Sequence, residues 1–190
     1  MGNHNHSAPV YGAGGWLALS DEQLYREAAG FLEKGISLYK IKIGGDRDKE
    51  RIVFLKREFG TKLKVAVDAN QQFSLDEAIE KSHLFNECGI EWFEDPLYSD
   101  SIVELKKLTN CAEIPPICVG ENFGLHWKFE DVCEMNAAKY IQADIVRCGG
   151  ITPFLKIAKI AEKFQKPFLT HLMTELSVSP SDANKHRCSL

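Results

Sequence analysis

Six residues able to carry charge or move a proton, Lys42, Asp68, Glu94, Glu121, Asp144 and His171, recur along the chain at intervals of 26, 26, 27, 23 and 27 residues. Each closes or adjoins a short apolar run rich in β-formers, and most such runs alternate with amphipathic stretches of helical period. Strands are expected near Pro9–Gly14, Leu38–Ile43, Leu63–Asp68, Ile90–Glu94, Ile117–Glu121, Tyr140–Asp144 and Pro167–His171. Helices are expected near Asp21–Lys34, Asp48–Phe59, Leu75–Cys88, Ile102–Leu108, Phe129–Met135 and Pro153–Phe164. Alternation of this kind builds an α/β fold with a parallel sheet. An open doubly wound sheet gathers its site at one switch point, whereas a ring of equivalent βα units presents every strand end at one face. Reactive residues on six strand ends in succession therefore favour a TIM-type (β/α) barrel. A complete barrel of this class needs about 250 residues, so a chain of 190 is expected to form an incomplete one, about seven of eight units, with strand edges left to be covered.

Local signals agree with that division. Ser20 and Ser74 precede acidic first turns, Thr152-Pro153 puts proline in a first turn, and Gly35, Gly60 and Gly89 follow three of the helices. The Gly12–Gly15 cluster lacks full G-x-G-x-x-G spacing and is read as a turn. With 23 Lys+Arg against 27 Asp+Glu and 44% hydrophobic residues, the composition is that of an ordinary soluble domain. It offers no basic footprint for nucleic acid or an anionic membrane. Six cysteines without a C-x-x-C pair argue against a zinc ribbon or a disulfide scaffold and for reduced thiols in a cytosol-like compartment. No secretory signal opens the chain and no stretch reaches the roughly 18 apolar residues of a membrane span, so a cytoplasmic protein is expected. Residues 1–8, with His4 and His6, read as a flexible polar leader.

The strand ends define a chemistry. Asp68, Glu94 and Glu121 stand on three consecutive strands, where like charges repel unless a cation neutralises them; oxygen-only ligation favours Mg²⁺, with Mn²⁺ as an alternative. In Lys40-Ile41-Lys42 the two lysines project to one face, inward, while Tyr39, Ile41 and Ile43 face the helices. Mutual repulsion and a nearby metal would push a lysine pKa down toward the working pH, as a general base requires. His171 and Asp144 end successive strands and can pair, the aspartate fixing the imidazole tautomer. Lysine on one side, histidine on the other and a cation between them point to removal of a proton next to a carboxylate, with the metal stabilising the enediolate.

The motifs Tyr39-Lys40-Ile41-Lys42-Ile43-Gly44, Val67-Asp68-Ala69-Asn70-Gln71, Trp92-Phe93-Glu94-Asp95-Pro96, Gly120-Glu121-Asn122, Gln142–Thr152 and Thr170-His171-Leu172 resemble, in order and spacing, the barrel domain of the enolase superfamily. Within it the chain is similar to the mandelate racemase subgroup of the mandelate racemase and muconate lactonizing enzyme family. The resemblance implies Asp68, Glu94 and Glu121 as Mg²⁺ ligands, Lys42 and the His171–Asp144 dyad as the two acid/base groups, and Lys40 and Asn70 as substrate-binding residues. Lys40 would also depress the pKa of Lys42. Relatives with a second catalytic lysine at the end of strand six differ, since Asp144 stands there.

The resemblance further implies a carboxylate substrate, most simply an acid sugar dehydrated to a 2-keto-3-deoxy acid. Racemisation or epimerisation of a 2-hydroxy acid is the alternative, and a homo-oligomer is implied. Three segments are expected: the leader at 1–8, a partial catalytic barrel at 9–177 and a divergent polar tail at 178–190. An N-terminal capping domain and an eighth strand are not evident, which leaves a reading of a different class, a catalytically silent barrel fragment serving as an interaction or structural partner. An unrelated phosphate-binding barrel is a weaker reading still, because Cys148-Gly149-Gly150 comes too early for its glycine loop.

Overall fold

Two helices begin on the same local device. Ser20 and Ser74 accept from the amides of Gln23 and Glu77 at 3.3 and 3.4 Å, and those side chains return to the Ser20 and Ser74 amides at 2.9 and 2.8 Å. These reciprocal caps start α1 (Asp21–Glu33) and α3 (Leu75–Glu87) in the computed structural model, which describes residues 10–173 and Leu176. The expected leader with His4 and His6, the tail at 178–190 and Cys188 lie outside the described residues. The remaining elements are β1 (Gly12–Gly14), β2 (Leu38–Lys42), α2 (Asp48–Phe59), β3 (Lys64–Asp68), β4 (Phe93–Glu94), α4 (Ile102–Thr109), β5 (Ile117–Val119), α5 (His126–Glu134), β6 (Tyr140–Asp144), α6 (Ile151–Lys163) and β7 (Phe168–His171). A 3₁₀ turn at Gly60–Lys62, not expected from the sequence, joins α2 to β3.

The chain divides into two compact units. The first holds residues 10–98 and 110–116; the second holds 99–109 and the described residues from 117 onward. In the first, β1 to β4 lie parallel in chain order, and the register sets Lys42 beside Asp68 and Asp68 beside Glu94. Sheet hydrogen bonding itself thus lines these three residues up. Leu24, Ala28, Ile52, Leu55, Ala78 and Phe85 supply the buried helix faces, and Phe85 meets Phe93 edge to face with centroids 5.1 Å apart. Burying the Leu, Ile and Phe side chains among them stabilises the unit by about 1.5–3 kcal/mol each.

In the second unit β5, β6 and β7 are likewise parallel in chain order, with Asp144 in register with His171. Its aromatic contacts are Phe123 with Phe129 and Phe154 with Phe168, centroids 5.1 and 5.2 Å apart. Among the described residues no helix is long and apolar enough to cross a membrane.

Three elements depart from expectation, two of them for reasons visible in the packing. Gly12 and Gly14 belong to β1 rather than to a turn, because a Cβ at either would lie 2.6 Å from the Phe31 ring or 2.7 Å from Glu27 Oε2. Only Gly15, at φ +57°, turns the chain. Strand β5 stops at Val119 rather than Glu121: Gly120 takes φ +128°, and a Cβ there would sit 2.2 Å from the Gln142 carbonyl oxygen. Helix α5 starts at His126, three residues before the expected Phe129.

Candidate active site

In the first unit the strand ends carry an amine and carboxylate array. Lys40 is 4% exposed, and Asp68 and Glu94 are fully buried. The Lys40 ammonium donates to Glu94 and lies 3.5 Å from Asp68 Oδ2. Lys42, its side chain 17% exposed, donates to the same Asp68 oxygen at 2.5 Å. The other oxygen, Asp68 Oδ1, accepts from the Asn70 amide at 2.9 Å, and Glu94 Oε2 accepts from the Trp92 indole at 3.2 Å. Asn70 is exposed and left-handed at φ +46°.

Burial raises the Asp68 pKa, but Lys40 and Lys42 outweigh it and hold the carboxyl below its usual range. Lys40 was expected to act on its neighbour Lys42, and its own charge is strongly held. Burial works against its charge, yet Glu94, Tyr11 and Asp68 together hold its pKa well above the usual value. The pair therefore stays ionised, and Lys40 supplies fixed positive charge rather than a mobile proton. The rings of Tyr11 and Trp16 lie 5.6 and 5.5 Å from the Lys40 and Lys42 ammonium groups.

The second unit presents an imidazole and carboxylate array. Asp144 Oδ1 accepts from the Val146 and Arg147 amides at 2.8 and 2.9 Å, and Oδ2 accepts from His171 Nδ1 at 2.8 Å. Burial pushes the Asp144 pKa up, but the Arg147 amide, His171 and the Val146 amide pull it below the usual value. An ionised carboxylate only accepts, so Nδ1 carries its hydrogen and Nε2 is the ring's other polar atom. That nitrogen faces Glu121 Oε2 across 3.1 Å, with Glu121 5% exposed. The dyad expected from the sequence is thus formed within one unit.

The residues available to a metal are buried carboxylates with oxygen donors only, and in the first unit two of them already demand compensating positive charge. This donor chemistry fits a hard divalent cation. Other residues that shape the strand ends gave no such signal in the sequence. Asp48 accepts from the Gly44 and Gly45 amides at 3.0–3.1 Å, and Arg51 donates to the Lys42 carbonyl at 2.7 Å. Glu27 accepts from the Gly15 amide at 2.8 Å and from the Tyr39 hydroxyl. Charged residues on amphipathic helices read as solvated ones; only their placement on the strand-facing side of α1 and α2 could have marked them.

Parallel βα units with reactive side chains at the C-terminal ends of the strands define the (β/α) barrel class of enzyme folds. Residues 23–186 match the Enolase C-terminal domain-like family, and the chain belongs to that family. It is 28% identical over 176 residues to the arabinonate dehydratase of Saccharolobus solfataricus, covering 90% of this chain and 47% of that protein. The crystal structure of a Streptomyces coelicolor racemase with bound magnesium superposes with a TM-score of 0.90 at 27% identity, over 95% of this chain and 55% of that one. L-Talarate dehydratase from a Polaromonas species, complexed with Mg and L-glucarate, gives 0.86 at 31% identity, over 93% and 50%. The fold is accordingly that of the superfamily's TIM barrels, and this chain spans about half the length of the relatives it matches.

Proposed function

We propose that the chain removes the α-proton of a small carboxylate substrate, and that the substrate is an acid sugar dehydrated to a 2-keto-3-deoxy acid. The observation that carries the reading is the pair of acid/base groups, each held by its own carboxylate: Lys42 on Asp68, and His171 on Asp144. Asp68, Glu94 and Glu121 would hold Mg²⁺, or Mn²⁺ in its place, whose charge neutralises the substrate carboxylate and acidifies the α-proton.

The remaining roles belong to side chains. Lys40 binds the substrate carboxylate through its permanent charge, and Asn70 donates to a substrate oxygen. Lys42 and His171 Nε2 serve opposite faces of the α-carbon, one taking the proton. For dehydration, the electron pair of the broken C–H bond forms the enediolate and then expels the β-hydroxyl, which leaves as water with a proton from the other group. The resulting enol takes up a proton at C3 and releases its hydroxyl proton to water, giving the keto acid. If the second group instead returns a proton to the α-carbon, the outcome is racemisation or epimerisation, which the magnesium-bound racemase among the structural neighbours supports.

Calorimetric titration with Mg²⁺, with Glu94→Gln as control, tests the reading before any substrate is chosen. Saturable binding that the substitution abolishes is the supporting result. Absence of binding would favour the second reading, a silent barrel acting as an interaction partner. Self-association belongs to the same proposal. Among the described residues β1 pairs only with β2 and β7 only with β6, leaving edges a partner would cover. Light scattering of the purified chain checks it, and a monomer would count against it.

A further inference from the structure

The last rung between β1 and β2 is the Lys42 amide donating to the Gly15 carbonyl at 3.1 Å. One buried guanidinium spans that rung. Arg51 of α2, 2% exposed, donates through Nη2 to the same Gly15 carbonyl at 2.6 Å and to the Trp16 carbonyl at 3.0 Å. Through Nη1 it donates to the Lys42 carbonyl at 2.7 Å. Three carbonyls from two neighbouring strand ends thus converge on one planar fork, a geometry that the single-point ammonium of lysine does not reproduce.

The segment so held is the one that covers Lys42. Gly15 takes φ +57°, and a Cβ there would lie 2.5 Å from Ile41 Cγ2, so the turn admits glycine alone without strain. The chain then delivers Trp16 with its ring 5.5 Å from the Lys42 ammonium and 63% of the residue exposed. A large exposed indole over an ammonium is mobile unless its backbone is fixed; the Trp16 carbonyl accepts from the Leu19 amide at 3.0 Å within its own turn, and Arg51 is what ties that turn to the end of β2.

We propose that Arg51 is a positioning residue for Lys42: its guanidinium locks the carbonyls of Gly15, Trp16 and Lys42 together and so sets the Trp16 ring against the Lys42 ammonium. The functional weight of this arrangement rests on the reading of Lys42 as an acid/base group. Its geometry does not, and the two fail separately.

The test is a double-mutant cycle read by Trp16 fluorescence in the full chain, in a Trp127→Phe background where the other tryptophan, Trp92, is fully buried. Lys42→Met should shift the Trp16 emission when Arg51 is present, and that shift should be lost in Arg51→Lys, which keeps the charge and removes the fork. An equal shift in both backgrounds would overturn the proposal, because a merely structural Arg51 leaves the pair intact. No shift even with Arg51 present would overturn it too, since the indole would then not register the ammonium. Arg51→Gln is measured alongside. Loss of near-UV dichroism in both Arg51 variants would also overturn the proposal, by making the residue a requirement of the fold rather than of Lys42 placement. None of these readings depends on Mg²⁺ binding or turnover, so a failure of the proposed function would leave them unchanged.

Discussion

The two units neutralise their strand-end acids by different means. Beneath Asp68 and Glu94, compensation comes from ammonium groups, Lys40 and Lys42, on the adjoining strand. Beneath Asp144 it comes from two backbone amides and one imidazole. In the first unit the charge balance is carried by long side chains that cannot be removed without stranding a buried carboxylate. In the second, most of the balance is built into the turn after β6 and survives any substitution of the histidine. One array balances its acids with side-chain charge, and the other mostly with backbone dipoles.

The largest effect expected from this contrast is on chemistry. With an acid sugar in D₂O, Lys42→Ala and His171→Ala should each slow α-proton exchange by about 10²–10⁴-fold on one face only. Proton NMR of the recovered substrate reads both faces, and unchanged rates in either variant would break the assignment of two separate bases. Stability separates the units next. Lys40→Met leaves Glu94 and Asp68 buried and poorly compensated and should cost about 3–5 kcal/mol. His171→Ala, with two amides still on Asp144, should cost only about 1–2 kcal/mol. Urea unfolding of both variants checks the ordering, and equal losses would erase the contrast.

Acid sharpens it further. The Asp144 carboxyl is held below its ordinary 3.8, so its contribution is complete above that pH and is lost as pH falls through the lower folded-state value. Asp144→Asn should flatten the part of the decline in urea midpoint that falls below pH 3.8. The smallest effect lies outside both arrays. Ser74→Ala removes a reciprocal cap and should cost about 1 kcal/mol, seen as a small fall in thermal midpoint with exchange chemistry untouched.

Much of this was legible in the residues. Spacing placed Lys42, Asp68, Glu94, Asp144 and His171 at strand ends, and the structure puts them there because each apolar run pairs in parallel with the next. The caps at Ser20 and Ser74 were legible because they are local and depend on side chains three residues apart. The end of β5 was not, because it is set by Gly120 meeting the Gln142 carbonyl, a contact between strands. The ion pairs that hold Lys40 charged were not legible either: neighbouring lysines are visible in sequence, whereas their burial against Glu94 and Asp68 is not. Arg51 and Asp48 escaped for the same reason, since a helical charge reveals its partner only once the helix is docked.

The two-residue pairing of β3 with β4 has a consequence for how this chain tolerates insertions and deletions. Val67 faces Phe93 and Asp68 faces Glu94, and the bonding continues on both sides, the Glu91 amide donating to the Val65 carbonyl at 2.9 Å and the Gln71 amide to the Asp95 carbonyl at 2.8 Å. Losing a single residue between Ile90 and Glu94 would shift the frame by one and turn the acid outward while bringing an aromatic ring in. Asp95, Pro96 and Leu97 are buried as well, the Asp95 and Pro96 carbonyls accepting from the Gln71 and Phe73 amides, whereas Tyr98 is exposed. Gaps in an alignment of functional relatives should therefore fall after Leu97 and be absent from the few residues before it.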